Sequence, residues 1–222
     1  MRMIDWRLHL VTSGSGADTV AAAAAAARAG AGIVQVRAKD LLAADLLDLV
    51  CRVADSVASA APSTRVIVND RVDVAWAARR MGARVHGVHL GQRDVAVRDA
   101  RAMLGADALV GLTAGTANFV REAESRRGPS RPDYLGAGPF RPTPTKSVGR
   151  PPVGLDGYVA LAALTSLPVV AIGDVRRADV AELAGTGVAG VAVVREVMDA
   201  AEPELVARSL LAEWDRGEQG SV

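Results

Sequence analysis

The sequence predicts a single (β/α)8 (TIM) barrel domain that spans residues 1–222. Eight short runs rich in Val, Ile and Leu alternate with eight alanine-rich segments of helical length. The runs show little polar alternation, which is typical of parallel strands covered on both faces. Strands that alternate with helices require crossover connections and therefore a parallel sheet. The length of 222 residues fits such a barrel, whose usual size is roughly 200–250 residues.

The β-branched runs place the strands, because each is bounded by turn-forming residues. In chain order the predicted strands are Leu8–Thr12, Ile33–Arg37, Arg65–Asn69, Val85–Leu90, Ala108–Leu112, Asp133–Gly136, Val169–Ile172 and Val188–Val194. The predicted helices follow at residues 18–29, 42–60, 72–81, 94–104, 116–127, 155–165, 177–184 and 203–215. Gly30, Gly82 and Gly185 lie where helices end, as expected for residues that close a helix in the left-handed conformation.

A doubly wound open sheet is the alternative fold, and it needs a glycine fingerprint after the first strand. Thr12–Gly16 has glycines, but it lacks the G-x-G-x-x-G spacing and the acidic residue about 20 positions later. The proline-rich stretch from Pro139 to Pro152 is predicted to be a long loop after the sixth strand. Long loops in compact domains are often functional.

Composition excludes several classes of protein. The 26 basic and 25 acidic residues give a formal net charge of +1, which argues against binding nucleic acid through a broad basic surface. Cys51 is the single cysteine, so there is no intramolecular disulfide and a reducing cytoplasm is expected. The sequence has neither a membrane-spanning run of about 20 apolar residues nor the apolar stretch of a signal peptide at its start.

Chemistry in a (β/α)8 barrel takes place at the C-terminal ends of the strands. The polar and loop residues that the sequence places there are Gln35, Arg37, Lys39, Asn69, Asp70, Asp94, Thr113, Thr143, Thr145, Lys146, Gly173, Asp174 and Arg195. Strand geometry puts Gln35, Arg37 and Lys39 on one face if the second strand stays extended.

The two lysines of the chain, Lys39 and Lys146, both follow strands, whereas the other 24 basic residues are arginine. Chance placement of charge in loops is one interpretation. The other is that an ammonium group is required for phosphate oxygens, where a guanidinium does not simply replace it. Asp70 and Asp94 would suit Mg²⁺, which typically takes one or two carboxylates plus substrate phosphates, although each alone could be a helix N-cap.

Together these residues predict a pocket for Mg²⁺ and a diphosphate. The sequence shows no activated nucleophile: Cys51 lies within a predicted helix, and His9, His86 and His89 do not form a metal triad. We interpret the histidines as hydrogen-bonded residues of the barrel. A diphosphate pocket without a nucleophile suggests departure of a diphosphate leaving group rather than covalent catalysis.

The ordered motifs resemble those of thiamine-phosphate synthases. They are Gln35-Val-Arg-Ala-Lys39, Val68-Asn-Asp-Arg-Val-Asp73, Gly87-Val-His-Leu-Gly-Gln-Arg-Asp94, Gly138-Pro-Phe-Arg-Pro-Thr-Pro-Thr-Lys146 and Ala171-Ile-Gly173. Each motif is weak alone, but the set follows the family's order and spacing from the first strand to the eighth.

The resemblance implies that 4-amino-2-methyl-5-hydroxymethylpyrimidine diphosphate is joined to 4-methyl-5-(2-phosphoethyl)thiazole, which yields thiamine phosphate and diphosphate. In the family the C–O bond breaks first, and the thiazole nitrogen captures the resulting carbocation. Fixed positive charge and Mg²⁺ then stabilise the leaving diphosphate. These small molecules are the expected partners, and a homodimer is expected because family members are often dimers.

The resemblance also implies a role for each site residue. Asp70 and Asp94 correspond to the Mg²⁺ ligands, and Arg37, Lys39, Asn69 and Lys146 to the diphosphate-binding catalytic residues. Gln35 and Thr113 correspond to contacts on the pyrimidine side. The thiazole phosphate corresponds to Thr143 and Thr145, with the backbone around Gly173, Asp174, Val194 and Arg195.

The chain departs from the family pattern at the thiazole-phosphate end. Asp174 stands where a second glycine is usual, and a carboxylate there repels phosphate unless it turns away or meets a cation. Arg195, which replaces a common serine, is the candidate for that cation. Gly115 replaces a common histidine, Arg141 replaces a common aromatic residue, and Thr113 replaces serine conservatively.

Three other functions stay open at this point. Thiazole tautomerases share the barrel, but they lack the second carboxylate and the Thr-x-Thr-Lys loop and use a histidine where this chain has Pro139. A non-catalytic sensor of thiamine precursors is suggested by Asp174. An unrelated phosphate-binding isomerase would need a general base at a strand end, and the sequence places none there.

Overall fold

The computed structural model describes residues 4–142 and 151–220. It confirms the predicted fold class, since eight parallel strands close into a barrel in sequential order. The strands are β1 (Leu8–Val11), β2 (Ile33–Val36), β3 (Arg65–Asn69), β4 (Val85–Leu90), β5 (Leu109–Thr113), β6 (Tyr134–Ala137), β7 (Val169–Ala171) and β8 (Gly190–Val193). Pairing of β1 with β8 closes the barrel. That the whole chain forms one domain stays a prediction.

The helices lie outside the strands. They are α1 (Ala17–Ala29), α2 (Ala43–Ala60), α3 (Val72–Arg80), α4 (Val97–Leu104), α5 (Ala117–Ser125), α6 (Gly154–Ala162), α7 (Val180–Ala184), α8 (Arg195–Met198) and α9 (Pro203–Gln219). Short 3₁₀ helices cover Gly128–Ser130 and Arg177–Asp179. No helix in the described part of the chain has the length and apolar character needed to cross a membrane.

Several element boundaries differ from the prediction, and two of these differences bear on the site. Helix α4 begins at Val97 rather than at residue 94, because the Asp94 carboxylate accepts a hydrogen bond from the Gly91 backbone and shapes the preceding turn. Strand β8 ends at Val193, and the chain turns at Val194 directly into α8, a helix that the sequence did not predict. Both differences lie at the C-terminal rim of the barrel.

Helix α1 shows how alanine builds the outer layer. The run Ala22–Ala27 is buried throughout, although a surface helix ordinarily buries a single stripe. The helix packs between α2 and α9, and small side chains permit a close approach on both sides. It ends at Gly30, whose φ of 110° is left-handed and whose N–H returns to the carbonyls of the last turn.

Aromatic side chains fill the barrel interior where other strands carry glycine. The Tyr134 ring is fully buried, and a Cβ atom added to Gly111 would lie 2.2 Å from it. A Cβ on Gly136 would lie 2.8 Å from His89. Glycine on β5 and β6 therefore leaves room for two large polar rings beneath the C-terminal mouth.

We expect Gly111→Ala to lower the free energy of unfolding by about 1–3 kcal/mol, because the new methyl group overpacks against a ring that cannot leave the core. Urea denaturation followed by circular dichroism measures the change. Gly220→Ala is the control, since its Cβ would meet no atom closer than 3.7 Å. Equal unfolding free energies for Gly111→Ala and the wild type would contradict this account of the interior.

Candidate active site

The loops after β2, β3 and β4 bring three predicted charged residues together. The Lys39 Nζ lies 3.0 Å from Asp70 Oδ2, and Asp94 is close enough to Asp70 for their carboxyl groups to interact directly. Strand β2 ends at Val36, so Lys39 reaches this position from a turn rather than from an extended strand. The side chain of Lys39 is 50% exposed, which leaves its ammonium group accessible to a ligand.

The backbone holds both carboxylates in place. Asp70 has a φ of 62°, a left-handed value that is uncommon outside glycine but tolerated by aspartate. Its N–H donates to the His89 carbonyl at 2.9 Å, which ties the end of β3 to β4. The Gly91 N–H donates to Asp94 Oδ2 at 2.6 Å. The backbone of Asp70 is therefore anchored to β4, and the Asp94 carboxylate is anchored in the turn that follows β4.

The electrostatics of the pair suit a divalent cation. Burial raises the pKa of Asp94 above its usual range, the Gly91 hydrogen bond opposes that shift, and the neighbouring Asp70 carboxylate adds to it. Two converging carboxylates provide hard oxygen ligands of the kind that Mg²⁺ takes alongside substrate phosphates. Within residues 4–142 and 151–220, no group of three or more His, Cys, Asp or Glu side chains could hold a metal. A metal here would need ligands from substrate or water.

An amide pair and a small cavity lie beside the charged residues. The Gln35 Nε2 donates to Asn69 Oδ1 at 2.6 Å, and Gln35 is only 5% exposed. The Arg37 N–H donates to Thr12 Oγ1 at 3.0 Å, which anchors the backbone at the end of β2. A cavity of about 160 Å³ is lined by Ala38, Lys39, Leu41, Leu46, Asn69, Asp70 and Arg71.

Arg71 is a cavity residue that the sequence reasoning did not select. Its guanidinium forms two hydrogen bonds with Asp73, of 2.9 and 2.6 Å. The signal was available, because Arg71 directly follows Asp70 at a strand end. Its charge is already compensated by Asp73, so we assign it no separate role.

A line of hydrogen bonds connects the barrel interior to Thr113. The His89 imidazole bonds to Tyr134 Oη through Nδ1 at 2.8 Å and to Thr113 Oγ1 through Nε2 at 3.0 Å. The Gln92 side chain donates to the Thr113 carbonyl at 2.5 Å. Thr113 therefore has both its hydroxyl and its backbone held at the end of β5.

The interpretation of the histidines is correct for His89 and for His86, whose Nδ1 accepts the Val66 N–H at 3.0 Å. It is wrong for His9, since its buried ring nitrogens have no hydrogen-bond partner within the described residues. Burial, together with His89, lowers the pKa of His9 to about 3, whereas the neighbouring Gln35 side chain acts in the opposite direction. The ring is therefore neutral.

The last two strands place Gly173, Asp174, Val194 and Arg195 together. Asp174 Oδ1 accepts a hydrogen bond from the Arg195 guanidinium, so the cation proposed from the sequence does meet this carboxylate. Gly173 has a φ of 99°, and a Cβ there would lie 2.6 Å from the Pro139 backbone. The loop after β7 therefore packs closely against the chain that leaves β6.

Thr143, Thr145 and Lys146 lie outside the described residues, so their positions stay predictions. A wider hollow of about 710 Å³ lies on the opposite rim, between α4 and the loop before β6. Its central arginine, Arg101, already pairs with Asp133 at 2.9 Å and donates to the Ala108 carbonyl at 2.7 Å. We assign this hollow no catalytic function, because chemistry in these barrels lies at the other end.

Comparison with known proteins agrees with the resemblance. The family model described as "Thiamine monophosphate synthase" matches residues 8–197. A thiamine-phosphate synthase of Corynebacterium jeikeium is 49% identical over 216 residues, which cover 97% of this chain and 98% of the relative. One from Corynebacterium efficiens is 52% identical over 186 residues, or 84% of each chain.

A solved structure is similar along nearly its whole length. The thiamine phosphate pyrophosphorylase from Pyrococcus furiosus has a TM-score of 0.83 and 26% sequence identity, and the match covers 97% of this chain and 98% of that one. The fold, the arrangement at the barrel mouth and the full-length likeness lead to one conclusion. The chain belongs to the thiamine-phosphate synthase family.

Proposed function

We propose that the protein is a transferase that condenses 4-amino-2-methyl-5-hydroxymethylpyrimidine diphosphate with 4-methyl-5-(2-phosphoethyl)thiazole. The products are thiamine phosphate and diphosphate. The observation that carries the proposal is the convergence of Lys39, Asp70 and Asp94 at the C-terminal mouth, in a chain 49% identical to a named synthase over its length. The substrates below are called the pyrimidine diphosphate and the thiazole phosphate.

The residues at the mouth are proposed to bind the metal ion and the phosphate groups of the two substrates. We propose that Asp70 and Asp94 hold Mg²⁺. The bound ion supplies positive charge to the oxygens of the diphosphate. The same leaving group is bound by two cations, Lys39 and Arg37, and by the amide of Asn69. Lys146 is proposed to join them, and Thr143 and Thr145 to bind the thiazole phosphate, on the basis of the family resemblance.

The pyrimidine ring is proposed to lie over the floor formed by Gln35 and Thr113. Gln35, on the side of the pyrimidine ring, is hydrogen-bonded to Asn69, on the side of the diphosphate. This bond fixes the two side chains relative to one another. Thr113 is fixed by His89 and Gln92, so its hydroxyl presents a defined direction. Preorganised polar groups of this kind avoid reorganisation during the reaction.

We propose that the bond between the pyrimidine methylene carbon and the diphosphate oxygen breaks before the new bond forms. The electron pair of that bond leaves with the diphosphate, and the thiazole nitrogen then donates its own pair to the cationic methylene carbon. The described mouth offers cations and amides rather than a nucleophile with an adjacent base, which favours this order. Catalysis then consists of electrostatic stabilisation and alignment of two substrates.

The test is incubation of the protein with both substrates and Mg²⁺, followed by mass spectrometric detection of thiamine phosphate. Reactions without either substrate are the controls. A synthase forms thiamine phosphate and diphosphate in equal amounts. Binding of the thiazole phosphate but not of the pyrimidine diphosphate, without turnover, would indicate a tautomerase-like site. Binding of both substrates without turnover would indicate a sensor.

The presence of both Asp70 and Asp94 in one cluster favours the synthase over the tautomerase, which has a single carboxylate at this place.

A cytoplasmic location stays a prediction from the single free cysteine, Cys51. A homodimer likewise stays a prediction from the family resemblance.

A further inference from the structure

Asp174 organises two guanidinium groups at the ends of β7 and β8. Its Oδ1 accepts from Arg195 Nη2, and its Oδ2 accepts from Arg176 Nη2 at 3.3 Å. The Asp174 side chain is only 12% exposed, whereas those of Arg195 and Arg176 are 54% and 62% exposed. The carboxylate is therefore covered by the arginines, and the guanidinium groups face outward.

A second carboxylate braces the same cluster from the other side. The Arg141 guanidinium donates to both oxygens of Asp179, at 2.6 and 2.5 Å, and to the Asp174 carbonyl at 3.0 Å. Asp179 also accepts the Arg176 N–H at 2.8 Å. Three arginines, from the loops after β6 and β7 and from the start of α8, thus share two aspartates, which leaves this cluster with one more positive than negative charge.

The backbone at Asp174 adopts a conformation that a side chain disfavours. Its φ of 56° is left-handed, where a residue with a side chain is less stable than glycine. Such conformations persist when the surrounding structure fixes them. The contacts of its carboxylate with Arg195 and Arg176 and of its carbonyl with Arg141 supply that fixation.

We propose that Asp174 is a positioning residue that holds Arg195 and Arg176 as a guanidinium pair for the phosphate of the thiazole phosphate. The inference rests on the proposed function and deepens it. Phosphate groups in these barrels bind at the loops after the seventh and eighth strands. A bare carboxylate there would repel a phosphate dianion, whereas one carboxylate with two guanidinium groups attracts it. Guanidinium groups bind phosphate oxygens in a bidentate manner.

We expect Asp174→Asn to change the KM for the thiazole phosphate in opposite directions in two protein backgrounds. In the otherwise wild-type protein the substitution releases the two arginines, so the KM for the thiazole phosphate should rise severalfold. In an Arg176→Ala/Arg195→Ala background the same substitution removes an uncompensated negative charge, so this KM should fall. Asparagine tolerates the left-handed conformation, so we expect Asp174→Asn to fold as the wild type does.

Steady-state kinetics of the wild type, Asp174→Asn, Arg176→Ala/Arg195→Ala and the combined triple variant provide the test, with circular dichroism to verify folding. Arg195→Ala alone should raise the KM for the thiazole phosphate about tenfold, the loss expected for one hydrogen bond to a charged group. The KM for the pyrimidine diphosphate should stay within twofold. Arg177→Ala is the matched control, because this neighbouring arginine pairs with Glu213 and should leave both KM values unchanged.

Two failures can be told apart. If the wild type forms no thiamine phosphate, the proposed function fails. The arginine pair is then tested by calorimetric titration with the thiazole phosphate, in which Asp174→Asn should raise Kd in the wild-type background and lower it in the Arg176→Ala/Arg195→Ala background. If the wild type is active but Asp174→Asn has no effect, or the same effect in both backgrounds, the positioning role is overturned.

Discussion

Asp94→Asn is expected to lower kcat/KM for the pyrimidine diphosphate by two orders of magnitude or more at fixed Mg²⁺ concentration. The substitution keeps the shape of the side chain and a hydrogen-bond acceptor for Gly91, but it removes one of two charges proposed to hold the metal. Electrostatic groups aimed at a leaving group are commonly worth about 10²–10³ in rate. Initial rates of thiamine phosphate formation, measured over a range of Mg²⁺ concentrations, give the effect.

We expect Asp94→Asn to lose activity without losing stability. Without metal, Asp94 and Asp70 repel one another at the mouth, so Asp94→Asn should have an unfolding free energy no lower than that of the wild type. Asp99→Asn is the control, since this carboxylate pairs with Arg98 on the surface of α4. Equal turnover by Asp94→Asn and Asp99→Asn would show that Asp94 is not a ligand of the metal.

Lys39→Ala should lower kcat by about a hundredfold, because Lys39 is proposed to be a fixed cation that stabilises charge growing on the diphosphate in the transition state. The Lys39 ammonium is held 3.0 Å from Asp70, so its position is set before substrate binds. Lys39→Arg keeps the charge but not the compact ammonium geometry, and we expect its kcat to lie between those of Lys39→Ala and the wild type.

The control for Lys39 is Arg52→Ala, which removes a cation that pairs with Asp48 at 2.7 Å on the outer surface of α2. Its kinetic constants should match those of the wild type. The distribution of the loss between kcat and KM is informative for Lys39→Ala. A rise in KM alone, with kcat retained, would mean that Lys39 binds the ground state and the transition state equally.

The sequence predicted the barrel and the convergence of charge at its mouth because both depend on local patterns. Apolar runs fix the strands, and parallel strands direct their C-terminal ends to one rim. Residues as distant along the chain as Lys39 and Asp94 therefore meet without any direct sequence signal. The amide pair of Gln35 and Asn69 follows from the same geometry, since adjacent parallel strands end side by side.

Features that depend on contacts between loops or within the barrel could not be predicted. Helix α4 begins late because Asp94 caps a turn through Gly91 instead of starting the helix. The state of His9 depends on which rings from other strands surround it. Arg195 was a candidate partner for Asp174, but neither the second contact, from Arg176, nor the left-handed backbone of Asp174 can be read from a single sequence.

We propose that the Asp70–Asp94 pair holds a cation together with the diphosphate. Electron paramagnetic resonance of Mn²⁺, titrated into the protein with and without inorganic diphosphate, tests it without turnover. We predict weak Mn²⁺ binding alone, because the described site offers two carboxylates, at least tenfold tighter binding with diphosphate, and loss of that gain in Asp94→Asn. Mn²⁺ binding that does not change with diphosphate, or with the Asp94→Asn substitution, would show that these two carboxylates do not hold a cation with the diphosphate.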